Sequence, residues 1–358
     1  MTRKYNKIKN VTIKSLWFKH NINFDVNAIE MPSKHILKTV ERLYHRGYAN
    51  PSSVYKDGRI AAEMIEKARL QVAKALGCEA DEIFFTSGAS ESNAWVANQF
   101  NISVDKSSHH SLIDSTKYNK SNKPKIIAFP WMVSETGECL RDKYNLNMEG
   151  VYYFVDLTQA IGKTNINLNN YPNIILASAS GQKFGGIQGA GILYIKKDWQ
   201  DKIKPMIYGS QENGLRGGTI NVPAVVGFGE AIQEVYKIDN KVNFFYRTSK
   251  ILNNIAHNIQ NLNLPVDYQI HSNVMNITFK HLSSATAVQL FDKYGFNVSS
   301  GSACMAGSEE PAQAFLESGY TKEKALKTIR ISVGRRNKLR EAKKFVKILK
   351  KILDKYDK

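Results

Sequence analysis

The chain is poor in cysteine. Three cysteines in 358 residues, Cys78, Cys139 and Cys304, cannot build a disulfide framework. That excludes a cystine-stapled secreted scaffold and points to a reducing compartment, so a cytoplasmic location is expected. No stretch approaches the roughly 20 consecutive apolar residues that a membrane-spanning helix needs. The start, Met1-Thr-Arg-Lys-Tyr-Asn-Lys, has no apolar run behind it to act as a signal peptide. Internal repeats and low-complexity linkers are absent too. So are nucleic-acid-binding motifs, which bears on the net charge of +18. The lysines are spread along the chain and are assigned to solvated faces; a polyanion partner is the alternative reading, and nucleic acid is not excluded. The last helical pattern fits this, with Ala342, Phe345, Leu349, Ile352 and Tyr356 at helical spacing and lysines between them.

What is present is an alternation of helical and strand-like segments from about Pro32 onward, in a chain long enough for two domains and 42% hydrophobic. Ala61, Ile65, Ala68, Val72 and Leu76 keep one helix face, with Gly77 as its stop. Strands are expected at Glu82 to Thr86, Lys125 to Phe129, Val151 to Leu157, Ile174 to Ser178 and Gly191 to Lys196. Asn101 to Pro124 is polar and reads as a loop region with at most a short helix. A long helical pattern beginning near Pro223 carries the chain out of the first domain. The expected organisation is an α/β domain with a mainly parallel sheet at 31–240. A smaller α+β domain is expected from 1–30 and 241–358.

Five places in this sequence could carry chemistry. Thr86-Ser-Gly-Ala-Ser-Glu-Ser follows a strand and precedes a helix-compatible run starting near Ala94. A strand turning through glycine into a helix offers unpaired N–H groups and a positive dipole end, which suit a phosphate; a plain helix cap is the simpler reading. Asp156 ends the Tyr-Tyr-Phe-Val-Asp strand, with Gln159 three residues on. Ligands of open α/β sheets sit beyond such strand ends, and a carboxylate there can pair with a protonated pyridine nitrogen; the alternative is an N-cap aspartate. Lys183 stands in Ser-Gly-Gln-Lys-Phe-Gly-Gly, among Gly181, Gly185, Gly186, Gly189 and Gly191. Glycines let backbone approach a ligand, and a lysine so placed can form a Schiff base with an aldehyde cofactor. A dinucleotide-binding reading is poor, because this stretch precedes a strand instead of joining a strand to a helix. Cys304 lies in Ser-Ser-Gly-Ser-Ala-Cys, among small polar residues that suit a reactive thiol better than a packed one. Arg330, in Thr-Ile-Arg-Ile-Ser-Val-Gly-Arg, can take a carboxylate with both ends of its guanidinium, or pair with an acid of the protein.

In this order these motifs resemble the cysteine desulfurases (NifS-like) of the class V aminotransferase-like pyridoxal-phosphate enzymes, from about Asn50 to Gly334. The resemblance implies the aspartate aminotransferase-like fold type I, with pyridoxal 5'-phosphate as cofactor, L-cysteine as substrate and a homodimer as the assembly. It implies that Lys183 holds the cofactor, Asp156 pairs with the pyridine nitrogen and Gln159 contacts the ring hydroxyl. His109, or its neighbour His110, stacks on the ring and moves protons. Ala89, Ser90 and Ser180 hold the phosphate, and Thr219 reaches the phosphate of the other subunit. Arg330 binds the substrate carboxylate. Cys304 takes the sulfur as a persulfide, leaves alanine, and passes the sulfur to an acceptor protein, iron–sulfur cluster assembly being a known use. No metal is assigned.

The chain departs from the family pattern at four places. Gln182 stands where a histidine usually precedes the lysine, and its amide can still donate to a phosphate. Ser134, in Val-Ser-Glu-Thr-Gly, replaces a longer asparagine near the cofactor. Phe24-Asp-Val-Asn-Ala-Ile-Glu-Met-Pro matches only part of an Asp-Asn-Asn-Ala-Thr-Thr-Pro segment that lines the substrate pocket, with Asn27 in the matching part. Tyr55 replaces a frequent histidine after Pro-Ser-Ser. These departures keep two alternatives open: a related lyase acting on selenocysteine or another amino acid, and a catalytically weakened relative that serves as a binding partner.

Overall fold

A computed structural model describes residues 21–117, 125–301 and 310–357. The strands in chain order are β1 (Ile22–Asn23), β2 (Ile83–Thr86), β3 (Asn101–Val104), β4 (Lys125–Pro130), β5 (Tyr152–Asp156), β6 (Ile174–Ser180), β7 (Gly191–Ile195), β8 (Val266–His271), β9 (Val274–Phe279), β10 (Phe296–Asn297) and β11 (Thr328–Ser332). Six of them form the main sheet in the order β2-β7-β6-β5-β4-β3. Within it β3 to β6 run parallel, and β7 is antiparallel to both of its neighbours.

The inner strands β4 to β7 are mostly apolar because both faces of the sheet are covered there. Successive residues point to opposite sides, so Phe85, Val155, Ala177 and Ile192 join one core while Phe84, Phe154, Leu176 and Leu193 join the other. The helices in chain order are α1 (Lys34–Arg46), α2 (Lys56–Leu76), α3 (Ala89–Ala97), α4 (His110–Thr116), α5 (Val222–Tyr236), α6 (Ile238–Asn261), α7 (Ser284–Lys293), α8 (Gln313–Glu317), α9 (Lys322–Leu326) and α10 (Leu339–Tyr356). On the first face lie α2, through Ala61, Ile65, Ala68 and Val72, and α5, through Val225, Phe228 and Ile232. Trp95 and Val96 of α3 pack on the second. α2 stops where Gly77 turns left-handed at φ 66° and its N–H closes on the Ala73 carbonyl.

A second core holds the three-stranded antiparallel sheet β11-β9-β8. Ile251, Ile255 and Ile259 of α6, Phe291 of α7, and Phe345, Leu349 and Ile352 of α10 pack against it, with Phe24 of the N-terminal segment. That segment pairs β1 with β10, bridges Asp25 to Ser332, and then runs on to the end of the main sheet.

Two expectations change. Asn101 to Val104 forms a parallel edge strand, not a loop. Its residues Asn-Ile-Ser-Val are exposed or half-buried in alternation, so it carries little of the apolar signal by which the inner strands are read. α3 begins at Ala89, directly after Gly88, and not near Ala94. Polar residues fill its first turn because that turn opens onto a cavity.

The turn into α3 crosses β7 at two glycines. A Cβ on Gly191 would lie 2.4 Å from Gly88 Cα and 2.6 Å from its carbonyl carbon. Backbone cannot yield there as a side chain can. Gly191→Ala should therefore cost about 2 kcal/mol or more in urea unfolding. Gly150→Ala, where a positive φ of 74° is strained but nothing lies within 4 Å, should cost about half as much. Equal losses would show that the crossing is not tight.

Candidate active site

The carboxyl ends of β4, β5 and β6 open into a cavity of about 540 Å³. Of the residues singled out from sequence, Asn27, Ala89, Ser90, His109, Ser134, Asp156, Gln159, Ser180, Gln182, Lys183 and Arg330 all line it. Thr219 does not; it lies exposed in the loop before α5. Cys304 lies outside the described residues.

One end of the cavity is an anion cup. Gly88 precedes α3 with no side-chain cap, so the first-turn N–H groups have no partner from that source, and Ala89 and Ser90 face the space. Gly88 also keeps the cup open: a Cβ there would sit 3.7 Å from Ser180 Oγ. Serine hydroxyls, helix N–H groups and the Gln182 amide form a donor set suited to a phosphate.

Asp156 is 6% exposed and oriented twice: Thr158 N donates to Oδ1 at 2.9 Å, and Asn93 Nδ2 to Oδ2 at 3.3 Å. It is thus both a local cap and a cavity-facing acid. Asn93, fully buried on α3, also donates to Ser111 Oγ and accepts from Ser178 Oγ at 2.7 Å. It ties α3, α4, β5 and β6 together around the carboxylate, a role that sequence reading missed because a lone asparagine in a helix carries no pattern.

The two histidines separate. His109 is the N-cap of α4, lines the cavity, and its Nδ1 accepts from Ser111 N at 3.1 Å. That bond leaves Nε2 to carry the proton of the neutral ring. His110 is the first residue of α4 and faces Asp114 at 3.8 Å. The loop before them is set by Asp105, which accepts from Ser107, Lys143 and Tyr144. Burial alone would raise the Asp105 pKa, but these donors outweigh it and hold the carboxyl down at about 2.

Lys183 follows the Gly181 turn at the end of β6, and Nζ donates to the carbonyls of Ala28 (2.8 Å) and Asn27 (3.2 Å). Arg330 is 2% exposed on β11. Its Nη2 donates to Asp25 Oδ1 at 2.5 Å, and its Nη1 donates to Ser134 O (3.1 Å) and Oγ (3.2 Å). The arginine is thus paired with an acid of the protein while it lines the cavity. Its buried Nε has no hydrogen-bond partner among the described residues.

Asn27 and Gln159 form the floor. Asn27 N is held by Ser332 Oγ at 3.0 Å, and its Nδ2 donates to Ser134 O at 3.0 Å. Gln159 Nε2 donates to Asn27 O at 2.9 Å and to Ser134 Oγ at 3.3 Å. Beneath them lies Lys163, 2% exposed, which sequence reading passed over. Its Nζ donates to Gln159 Oε1 at 2.7 Å and to Asn27 Oδ1 at 2.9 Å. The available signal was a lysine four residues beyond Gln159 in the uncharged stretch Leu-Thr-Gln-Ala-Ile-Gly that follows a buried strand. Burial drives the Lys163 pKa down from 10.5 to about 7; Glu30 opposes this, while Arg335, Lys183 and Arg330 add to it.

The sequence profile of the Aminotransferase class-V family matches this chain over residues 22–119 and 102–345. A protein named cysteine desulfurase IscS from Rickettsia typhi is 31% identical over 80% of this chain and 80% of its own length. One of the same name from Methanosarcina thermophila is 29% identical over 93% and 92%. The crystal structure of a NifS-like protein from Rickettsia africae superposes with a TM-score of 0.81, covering 94% of this chain and all of that one, at 26% identity.

Lys163 makes stability depend on pH in a defined sense. Between about pH 7 and its ordinary 10.5, the unfolded chain binds a proton at this lysine that the folded chain does not. Stability contributed here therefore rises with pH through that window, by at most about 1.4 kcal/mol per pH unit. Urea unfolding at pH 6.5 and 9.5 should show the parent gaining relative to Lys163→Met as pH rises; parallel curves would contradict the depressed lysine.

Proposed function

The chain belongs to the class-V aminotransferase family, and from that premise we propose that it is a pyridoxal-phosphate-dependent cysteine desulfurase. On this reading it converts L-cysteine to L-alanine, holds the sulfur as a persulfide on Cys304 and passes it to an acceptor protein. The observation that carries the reading is the convergence of Lys183, Asp156, Gln159, His109, Ser180 and Arg330 on one cavity with an anion cup at its end. The names of the relatives support the same chemistry.

The residues present fit the cofactor. A phosphate suits the cup of Ala89, Ser90 and Ser180. A pyridine nitrogen suits the buried carboxylate of Asp156, and a ring hydroxyl suits Gln159 Nε2. Bound there, pyridoxal phosphate supplies an electron sink that acidifies the Cα–H of an amino acid joined to it. Lys183 would anchor the group, and its amine, when free, would move the Cα proton. Asp156 would hold a proton at the pyridine nitrogen, and His109 would lie against the ring. Arg330 receives the substrate carboxylate in exchange for its present contacts with Asp25 and Ser134. Ser134, shorter than the family's asparagine, lies within bonding distance of both Gln159 and Arg330, so here it links those two residues.

At Cys304 the thiolate bonds to the substrate sulfur, and the sulfur–Cβ bond breaks with its electron pair staying on carbon. That carbon takes up a proton, giving alanine. Support for a thiol arriving at this place comes from Ser299, whose backbone pairs in both directions with Arg330 just before the segment begins. Thr219, exposed and away from its own cavity, is assigned to the phosphate of a second subunit in a homodimer.

The purified protein should show a visible band after addition of pyridoxal phosphate, lost in Lys183→Ala and altered by L-cysteine. Cys304→Ala should keep the band and lose persulfide and alanine formation; a variant that still forms both at the parent rate would end the desulfurase reading. His109→Ala should slow turnover by about 10²–10⁴-fold, the range for a proton-transfer group, while His110→Ala should stay near the parent. The reverse order would place the other histidine at the ring.

A further inference from the structure

Lys163 takes no part in the chemistry above and does not line the cavity. It rises from the turn after β5, where Ala160 O accepts from Lys163 N at 2.9 Å. Its side chain runs under the floor and ends between two amide oxygens, Gln159 Oε1 at 2.7 Å and Asn27 Oδ1 at 2.9 Å. Charged or neutral, a lysine nitrogen has at least two N–H groups to give, and both of these neighbours accept.

This contact decides how the Gln159 amide lies. Turning the amide over would face its NH₂ against the lysine N–H groups, leaving buried donors without acceptors. With Oε1 held by Lys163, Nε2 is directed at the other side, where Asn27 O and Ser134 Oγ accept from it. Asn27 cannot turn freely either. Its Oδ1 also accepts from Asn273 Nδ2 at 3.1 Å, and its Nδ2 donates to Ser134 O. Asn27 O orients Gln159 from above and Lys163 from below, and Lys163 also secures Asn27.

We propose that Lys163 is a positioning residue, which locks the Gln159 amide so that the N–H now given to Ser134 Oγ at 3.3 Å, and not a carbonyl, is the group that passes to the ring oxygen of the cofactor. This rests on the reading that places a pyridoxal ring beside Gln159. The amine acts through Gln159, directly and by way of Asn27, and need not touch cofactor or substrate. Its depressed pKa suits the task, since a neutral amine has two N–H groups for two acceptors.

An N–H given to the ring oxygen spreads its negative charge. Withdrawing it leaves more charge beside the lysine-linked nitrogen, which then keeps its proton to higher pH. The test is a pH titration of the visible band in cofactor-loaded parent, Lys163→Met, Gln159→Leu and the double variant. The midpoint should rise by about one pH unit in each single variant, the scale of one hydrogen bond, and no further in the double variant. Lys163→Gln, which keeps an N–H donor on a shorter side chain, should shift it the same way by less, and serves if the Met variant does not fold. Parent-like midpoints in the Lys163 variants, or a double-variant shift equal to the sum of the singles, would overturn the positioning role while leaving the cofactor reading intact. A parent that forms no band would overturn the cofactor reading and the positioning role with it.

Discussion

The site hangs on Asn27. Its backbone N–H is held by Ser332 of the smaller sheet, and its side chain meets Lys163 and Ser134 from the turns after β5 and β4 of the main sheet and Asn273 from the β8–β9 turn. Its carbonyl accepts from both Gln159 and Lys183. One residue therefore gathers contacts from two sheets with separate cores, and the amine and amide most important to the site rest on it. A buried polar group of this kind is costly unless fully bonded. The constraint is reciprocal: the sheets must dock in one way for Asn27 to be satisfied, and docking so closes the cavity floor.

Charge is handled differently at each buried cation. Arg330 and Arg335 are each met by an acid of the N-terminal segment, Asp25 and Glu30. Lys163 is met by two neutral oxygens, so burial is not offset by a direct ion pair and its proton is held weakly. Guanidinium cannot shed its charge in this way. Arg330 thus lines a cavity that also holds an anion cup, an arrangement suited to a ligand carrying both a phosphate and a carboxylate.

The inner strands and α2 were legible because burial on both faces makes β4 to β7 continuous apolar runs and burial on one face gives α2 its stripe. β3 was not, since an edge strand needs no apolar face. The lysine, aspartate and glycine-turn positions stood out because strand ends and glycines punctuate the sequence. Asn93, Asn273 and Lys163 did not. Asn93 meets Asp156 across 63 positions, Asn273 meets Asn27 across 246 and Lys163 meets Asn27 across 136, and no local spacing encodes those contacts; only the Lys163–Gln159 pair, four apart, is local. The docking of the N-terminal segment is of the same kind: Asp25 meets Arg330 across 305 positions.

Reduction of the pyridoxal-phosphate-loaded protein with borohydride, followed by peptide mapping, tests the central claim most directly. Two buried or half-buried lysines lie near Asn27, and they differ in access: Lys183 lines the cavity and Lys163 lies beneath its floor. The reduced cofactor is expected on the peptide carrying Lys183. Label on Lys163, on another lysine, or on none would contradict it.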